Sequence, residues 1–62
     1  MTPRQARAAI VAEVNNELVI VLSGIDLLQD PVVGHLTQHE AAKDARESVA
    51  RVRDLLQKLQ EI

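Results

Sequence analysis

Ile10-Val11-Ala12-Glu13-Val14-Asn15-Asn16-Glu17-Leu18-Val19-Ile20-Val21-Leu22-Ser23-Gly24-Ile25-Asp26-Leu27-Leu28, residues 10–28, is the stretch that decides the fold. It is rich in β-branched residues, a composition that on its own favours a strand. The spacing points to a helix instead. With Ile10 as origin and about 100° per residue, Ala6, Ile10, Val11, Val14, Leu18, Val21, Leu22, Ile25 and Leu28 share one face. The steps along Ile10, Val14, Leu18, Val21, Ile25 and Leu28 are mostly four and three, the period of helices packed in a bundle. Towards the N-terminus, Thr2-Pro3 supplies an N-cap and a proline at the first helical position. Towards the C-terminus, Asp30-Pro31 stops the helix near Gln29 and Gly34 adds a second break. This predicts a helix over about 3–29 and a turn over 30–37.

Beyond the turn, Thr37-Gln38-His39-Glu40 has the spacing of a capping box, in which Thr and Glu side chains each satisfy a free backbone N–H. A second helix is expected over about 38–61. Its apolar stripe is Ala42, Ala45, Val49, Val52, Leu56 and Leu59, widened by Leu55 and Ile62. The opposite face carries charges at i,i+4 spacing, pairing Lys43 with Glu47, Glu47 with Arg51 and Asp54 with Lys58. At 1.5 Å per residue each helix is roughly 35–40 Å long, and the short connection makes them antiparallel neighbours.

The chain has 62 residues and no Phe, Tyr, Trp or Cys. A core of Ala, Val, Ile and Leu in so short a chain is marginal, and no disulfide or thiolate metal site can reinforce it. Self-association is the remaining route. The expected architecture is all-α: one antiparallel two-helix hairpin, forming a homodimeric four-helix bundle. Its dimer core would be Ile10, Val14, Leu18, Val21, Ile25 and Leu28 from the first helix, with Ala45, Val49, Val52, Leu56 and Leu59 from the second. A hairpin that packs instead on a further domain is the alternative.

A net charge of −2 gives no basic footprint for nucleic acid. No hydrophobic run approaches the roughly 20 residues of a membrane span, the run Leu18 to Leu22 being short with Glu17 before it and Asp26 soon after, and the N-terminus lacks the layout of a secretory signal. A cytoplasmic protein with no membrane insertion is therefore the expectation.

The face of the first helix away from its core is unusual. Ala12, Asn16, Val19, Ile20, Ser23 and Leu27 make it small, neutral and apolar over several turns, which suggests a docking surface. The order Ile10-Val11-Ala12-Glu13-Val14-Asn15-Asn16-Glu17-Leu18, followed by Ile25 and Leu28, resembles the phosphoacceptor box of sensor histidine kinases, His-Glu-(Ile/Leu/Val)-Asn-Asn-Pro-Leu. In the second helix, Asp44-Ala45-Arg46, Val49 and Val52-Arg53-Asp54-Leu55-Leu56 are similar to the small-residue and Leu-Leu pattern of the same dimerisation and phosphotransfer domain. The resemblance covers nearly the whole chain, but its specific part is Glu13-Val14-Asn15-Asn16 with Leu18.

Two positions depart from that pattern. Ala12 stands where the family has its phosphorylated histidine, and Glu17 where it has proline. A methyl group offers no nucleophilic nitrogen, so no phosphohistidine can form there. The restored backbone N–H at residue 17 should leave the helix straighter than the family's kinked form. There is no Gly-rich phosphate loop, and 62 residues leave no room for a nucleotide-binding domain. What the resemblance implies is thus a two-component signalling module that dimerises and docks a response-regulator receiver domain without donating phosphate. It also implies that Glu13, at the family's base position, and Asn16, at the position that orients water, could support receiver dephosphorylation. A purely structural dimerisation hairpin, or a fragment or variant of a full histidine kinase, are the competing readings.

Other chemistry is thinly represented. His35 and His39 sit at the turn, where Asp30 or Glu40 could serve only loosely as a third ligand, so no metal is expected. Ser23 and Ser48 have no histidine or lysine base at helical spacing, which argues against a serine nucleophile. No cofactor is expected either.

Overall fold

A computed structural model describes all of residues 1–62. Helix α1 spans Pro3–Gln29 and helix α2 spans His35–Gln60, packed antiparallel as a hairpin with no strand. Thr2 caps α1 through a reciprocal pair: Gln5 N donates to Thr2 Oγ1 (3.2 Å) and Thr2 N donates to Gln5 Oε1 (2.9 Å). At the other end, Val32 N donates to the Asp30 carboxylate (2.9 Å), turning the chain before Pro31 can be followed by more helix. The Gln38 side chain donates back to the carbonyls of Leu28 (3.4 Å) and Asp30 (3.5 Å), the latter also accepting from Val33 N (3.3 Å).

The second helix starts three residues earlier than the sequence predicts. Gly34 is its N-cap, with no side-chain cap, and Thr37 and Glu40 lie inside the first turns. The capping box read at Thr37–Glu40 is therefore not formed. In a helix begun at His35 the first intrahelical bond is Gln38 N–H to the Gly34 carbonyl, so Glu40 N–H lies beyond the free first-turn donors and the Thr37 hydroxyl has no free N–H at residue 40 to cap.

The interhelical seam runs along Ile10, Val14, Glu17, Val21 and Gly24 of α1 and Gln38, Ala41, Ala45, Ser48, Val52, Leu55 and Leu59 of α2, all buried or half-buried. Its steps are again four and three, the period of helices crossing at a shallow angle. Gly24 sets the closest approach: a Cβ built there would stand 3.1 Å from the Ala41 carbonyl oxygen and 3.3 Å from Ala45 Cβ. Only Gly24, Ala41, Ser48 and Leu55 are buried, Ser48 completely.

The hairpin is a rod of 47 × 14 × 13 Å. Its radius of gyration is 14.5 Å, against about 10.5 Å for a compact globule of this length. Its accessible surface of 4846 Å² exceeds by about 900 Å² what a folded monomer of this mass exposes.

Taken whole, α1 is also more apolar than the run Leu18 to Leu22 implies. An 18-residue window within it has a mean hydropathy of 1.6 with 6% buried, long and apolar enough to cross a membrane by length and composition. The expectation that no stretch approaches a span is corrected accordingly. Glu13, Asn15, Asn16 and Glu17 sit in the middle of that helix, where each ionised group would cost about 2.5–3.5 kcal/mol in lipid.

Candidate functional site

An antiparallel hairpin has two edges and two outer faces, and the seam positions decide what each edge carries. Glu13 and Glu17 of α1 share a shallow groove of about 230 Å³ with Arg51, Asp54, Leu55 and Lys58 of α2. That groove is the polar edge. The residues that directly follow Ile10, Glu17 and Gly24 then line the opposite edge, and they are Val11, Leu18 and Ile25. Their counterparts after Ala41, Ser48 and Leu55 are Ala42, Val49 and Leu56. With Leu22 these residues form a charge-free apolar strip along the rod. Val11, Leu18, Leu22, Ile25, Val49 and Leu56 are each more than 40% exposed in the hairpin. A row of His39, Arg46 and Arg53 borders the strip on α2.

On the polar edge, Arg51 Nε donates to Glu17 Oε1 (2.8 Å) and Arg51 Nη2 donates to Ser48 Oγ (3.0 Å). The Arg51 hydrogen bond, and after it the Ser48 hydroxyl, hold the Glu17 carboxyl below its ordinary value. The same contact raises Arg51 further. Glu17 Oε2 is sheltered from solvent and has no hydrogen-bond partner. Thus Glu17, which the resemblance places where a proline would kink the helix, instead ties α1 to the middle of α2. The i,i+4 ion pairs expected along α2 do not form: Arg51–Glu17 is the one salt bridge, and Arg51 reaches across to α1 rather than along its own helix to Glu47.

Of the dimer-core residues read from the sequence, Ile10, Val14, Val21, Ala45, Val52 and Leu59 are partly covered by the hairpin itself. Leu18, Ile25, Leu28, Val49 and Leu56 are left exposed. Ala12, Asn16, Val19, Ile20, Ser23 and Leu27, read from the sequence as a docking surface, are all exposed, and no charged residue falls between Glu17 and Asp26. Glu13 and Asn16 are exposed on one flank of α1, an i,i+3 pair within reach of a common partner. His35 and His39 stand in the first turns of α2, and no three His, Asp or Glu side chains gather into a metal-binding group.

Sequence reasoning missed the Glu17–Ser48–Arg51 layer. Its signal was present in the spacing: Glu17 falls between Val14 and Val21 at seam intervals, and Ser48 between Ala45 and Val52. Both are polar, so an apolar stripe drawn through neighbouring leucines and valines passes them by. No protein-family model, curated protein or solved structure matches the chain.

Proposed function

We propose that this chain is a cytoplasmic signalling interaction module that homodimerises into a four-helix bundle and docks a receiver-type response regulator on α1 without donating phosphate. The uncovered apolar edge carries the first half of that reading. A monomeric rod would leave Val11, Leu18, Leu22, Ile25, Val49 and Leu56 in water, whereas a second copy covers all of them at once. The surface excess of about 900 Å² is close to the roughly 800 Å² that each partner buries in a standard stable interface. Docking is supported by the neutral outer strip of α1 around Ala12, Asn16 and Val19, together with the phosphoacceptor-box resemblance of Glu13-Val14-Asn15-Asn16.

Two measurements test this reading. Sedimentation equilibrium should give a dimer at micromolar concentration, and a monomer would refute the bundle. Titration with a phosphorylatable receiver domain should show binding that a charge at Val19 or Ile20 weakens at least tenfold. Absence of receiver binding with an intact dimer would leave a purely structural hairpin. A receiver phosphatase reading is favoured only by the shared exposure of Glu13 and Asn16. It requires faster loss of the receiver's aspartyl phosphate, abolished by Asn16→Ala.

A further inference from the structure

The apolar edge can be closed by a second copy in two ways that obey two-fold symmetry. With the axis parallel to the helices, each α1 packs on the partner's α2. With the axis across the rod, α2 packs on the partner's α2 and α1 on its α1. Both bury the same leucines and valines, so hydrophobic contact does not choose between them. The charges bordering the strip do.

On α2 that border is His39, Arg46 and Arg53, with no acid among them. On α1 the corresponding border is Asn15, Leu22 and Gln29, with Asp26 just outside. In the crosswise dimer, α2 runs antiparallel to itself about a centre near Val49, so Arg46 of each copy faces Arg53 of the other. Two arginine–arginine contacts would then flank a water-excluding seam, a repulsive arrangement. In the lengthwise dimer the levels are fixed by contacts within the hairpin: Glu17 meets Arg51, and Gly24 meets Ala41 and Ala45. The symmetry keeps those levels, so Arg53 comes opposite the partner's Asn15. Arg46 lies over the partner's Leu22, within a long side chain's reach of the partner's Asp26. The aliphatic stem of Arg46 then covers apolar surface while its guanidinium finds a carboxylate.

We infer that Arg46 and Arg53 are orientation-determining residues of the self-association surface, excluding α2-on-α2 packing and directing each α2 onto the partner's α1. The inference rests on the homodimer reading above and deepens it. The border charges act as the rim charges of a specific interface do, contributing little attraction and forbidding the wrong alignment.

A charge-swap cycle read by sedimentation equilibrium at low salt tests it. Arg46→Glu and Asp26→Lys should each weaken the dimer about threefold to tenfold, and the double variant Asp26→Lys/Arg46→Glu should recover most of that loss. Within one chain residues 26 and 46 lie on different helices and point away from the seam, so their coupling reports on the contact between copies. A tighter dimer for Arg46→Glu would overturn the inference, because a glutamate at 46 would then be meeting the partner's Arg53. Equal losses with no recovery in the double variant would also overturn it. Arg53→Glu gives a second reading: little change is expected, and tightening refutes. Helical circular dichroism of each variant separates weakened association from lost folding. A monomeric wild-type chain would instead remove the homodimer reading, a result distinct from any of these.

Discussion

Glu17 shows how one residue's environment sets both its chemistry and its cost. Its carboxylate is held in the charged form chiefly by Arg51, and one of its two oxygens is left without a hydrogen bond. Its pKa in the folded chain is lower than its ordinary 4.5. The contribution of this group to stability is therefore fully present above pH 4.5 and is lost as pH falls through the lowered folded value. Thermal melts between pH 7 and pH 2 should show wild type losing more stability on acidification than Glu17→Gln, whose amide does not titrate. Parallel curves for the two proteins would place the carboxylate outside the energetics of the fold. At the same scale Ala12 is decisive in the opposite sense, since no electrostatic setting gives a methyl group a nucleophile.

At the scale of the helix, the two N-termini differ. α1 begins with a reciprocal Thr2–Gln5 cap, while α2 begins at Gly34 with no side-chain acceptor for its free N–H groups. Gly34 has extended backbone angles (φ −66°, ψ 155°) and open space where a Cβ would go. Gly34→Asp should therefore stabilise the hairpin by about 0.5–1 kcal/mol, combining a better cap with a less flexible unfolded chain. Urea denaturation at fixed protein concentration measures it, and a loss of stability would mean that the turn needs glycine for a reason its geometry does not show. The start of α2 was misread from sequence because Thr37-Gln38-His39-Glu40 satisfies a capping pattern locally. The chain begins the helix earlier, after the Asp30 turn, as soon as Pro31 and Gly34 are behind it. The first helix was legible to the residue because Thr2-Pro3 and Asp30-Pro31 restrict the backbone covalently and locally.

For the whole molecule, the question is what covers the apolar edge. If a second copy does, stability depends on protein concentration by mass action. The melting temperature of the wild type should rise measurably between 1 and 100 μM chain on the order of the shift expected for a coupled dimer. Leu18→Glu should abolish that dependence, because it places a charge in the middle of the strip while leaving the hairpin seam intact. A concentration-independent melt for the wild type would show that the rod stands alone or needs another partner. The face proposed for docking is separate from this edge, so the same variant should fail to dimerise yet keep Ala12, Asn16 and Val19 accessible.

The sequence by itself determined that there are two helices, where the first begins and ends, and that their apolar residues outnumber what one hairpin can bury. Period, proline and capping are properties of neighbouring residues, so no tertiary information is needed to read them. Which members of each stripe face the partner helix depends on how the two helices pack. The seam selects Glu17, Gly24 and Ser48 over the larger Leu18, Ile25 and Val49. The close approach at Gly24 and the ion pair from Glu17 to Arg51 both belong to that rotation. The rotation turns the leucines and valines outward into a strip that the hairpin itself leaves uncovered.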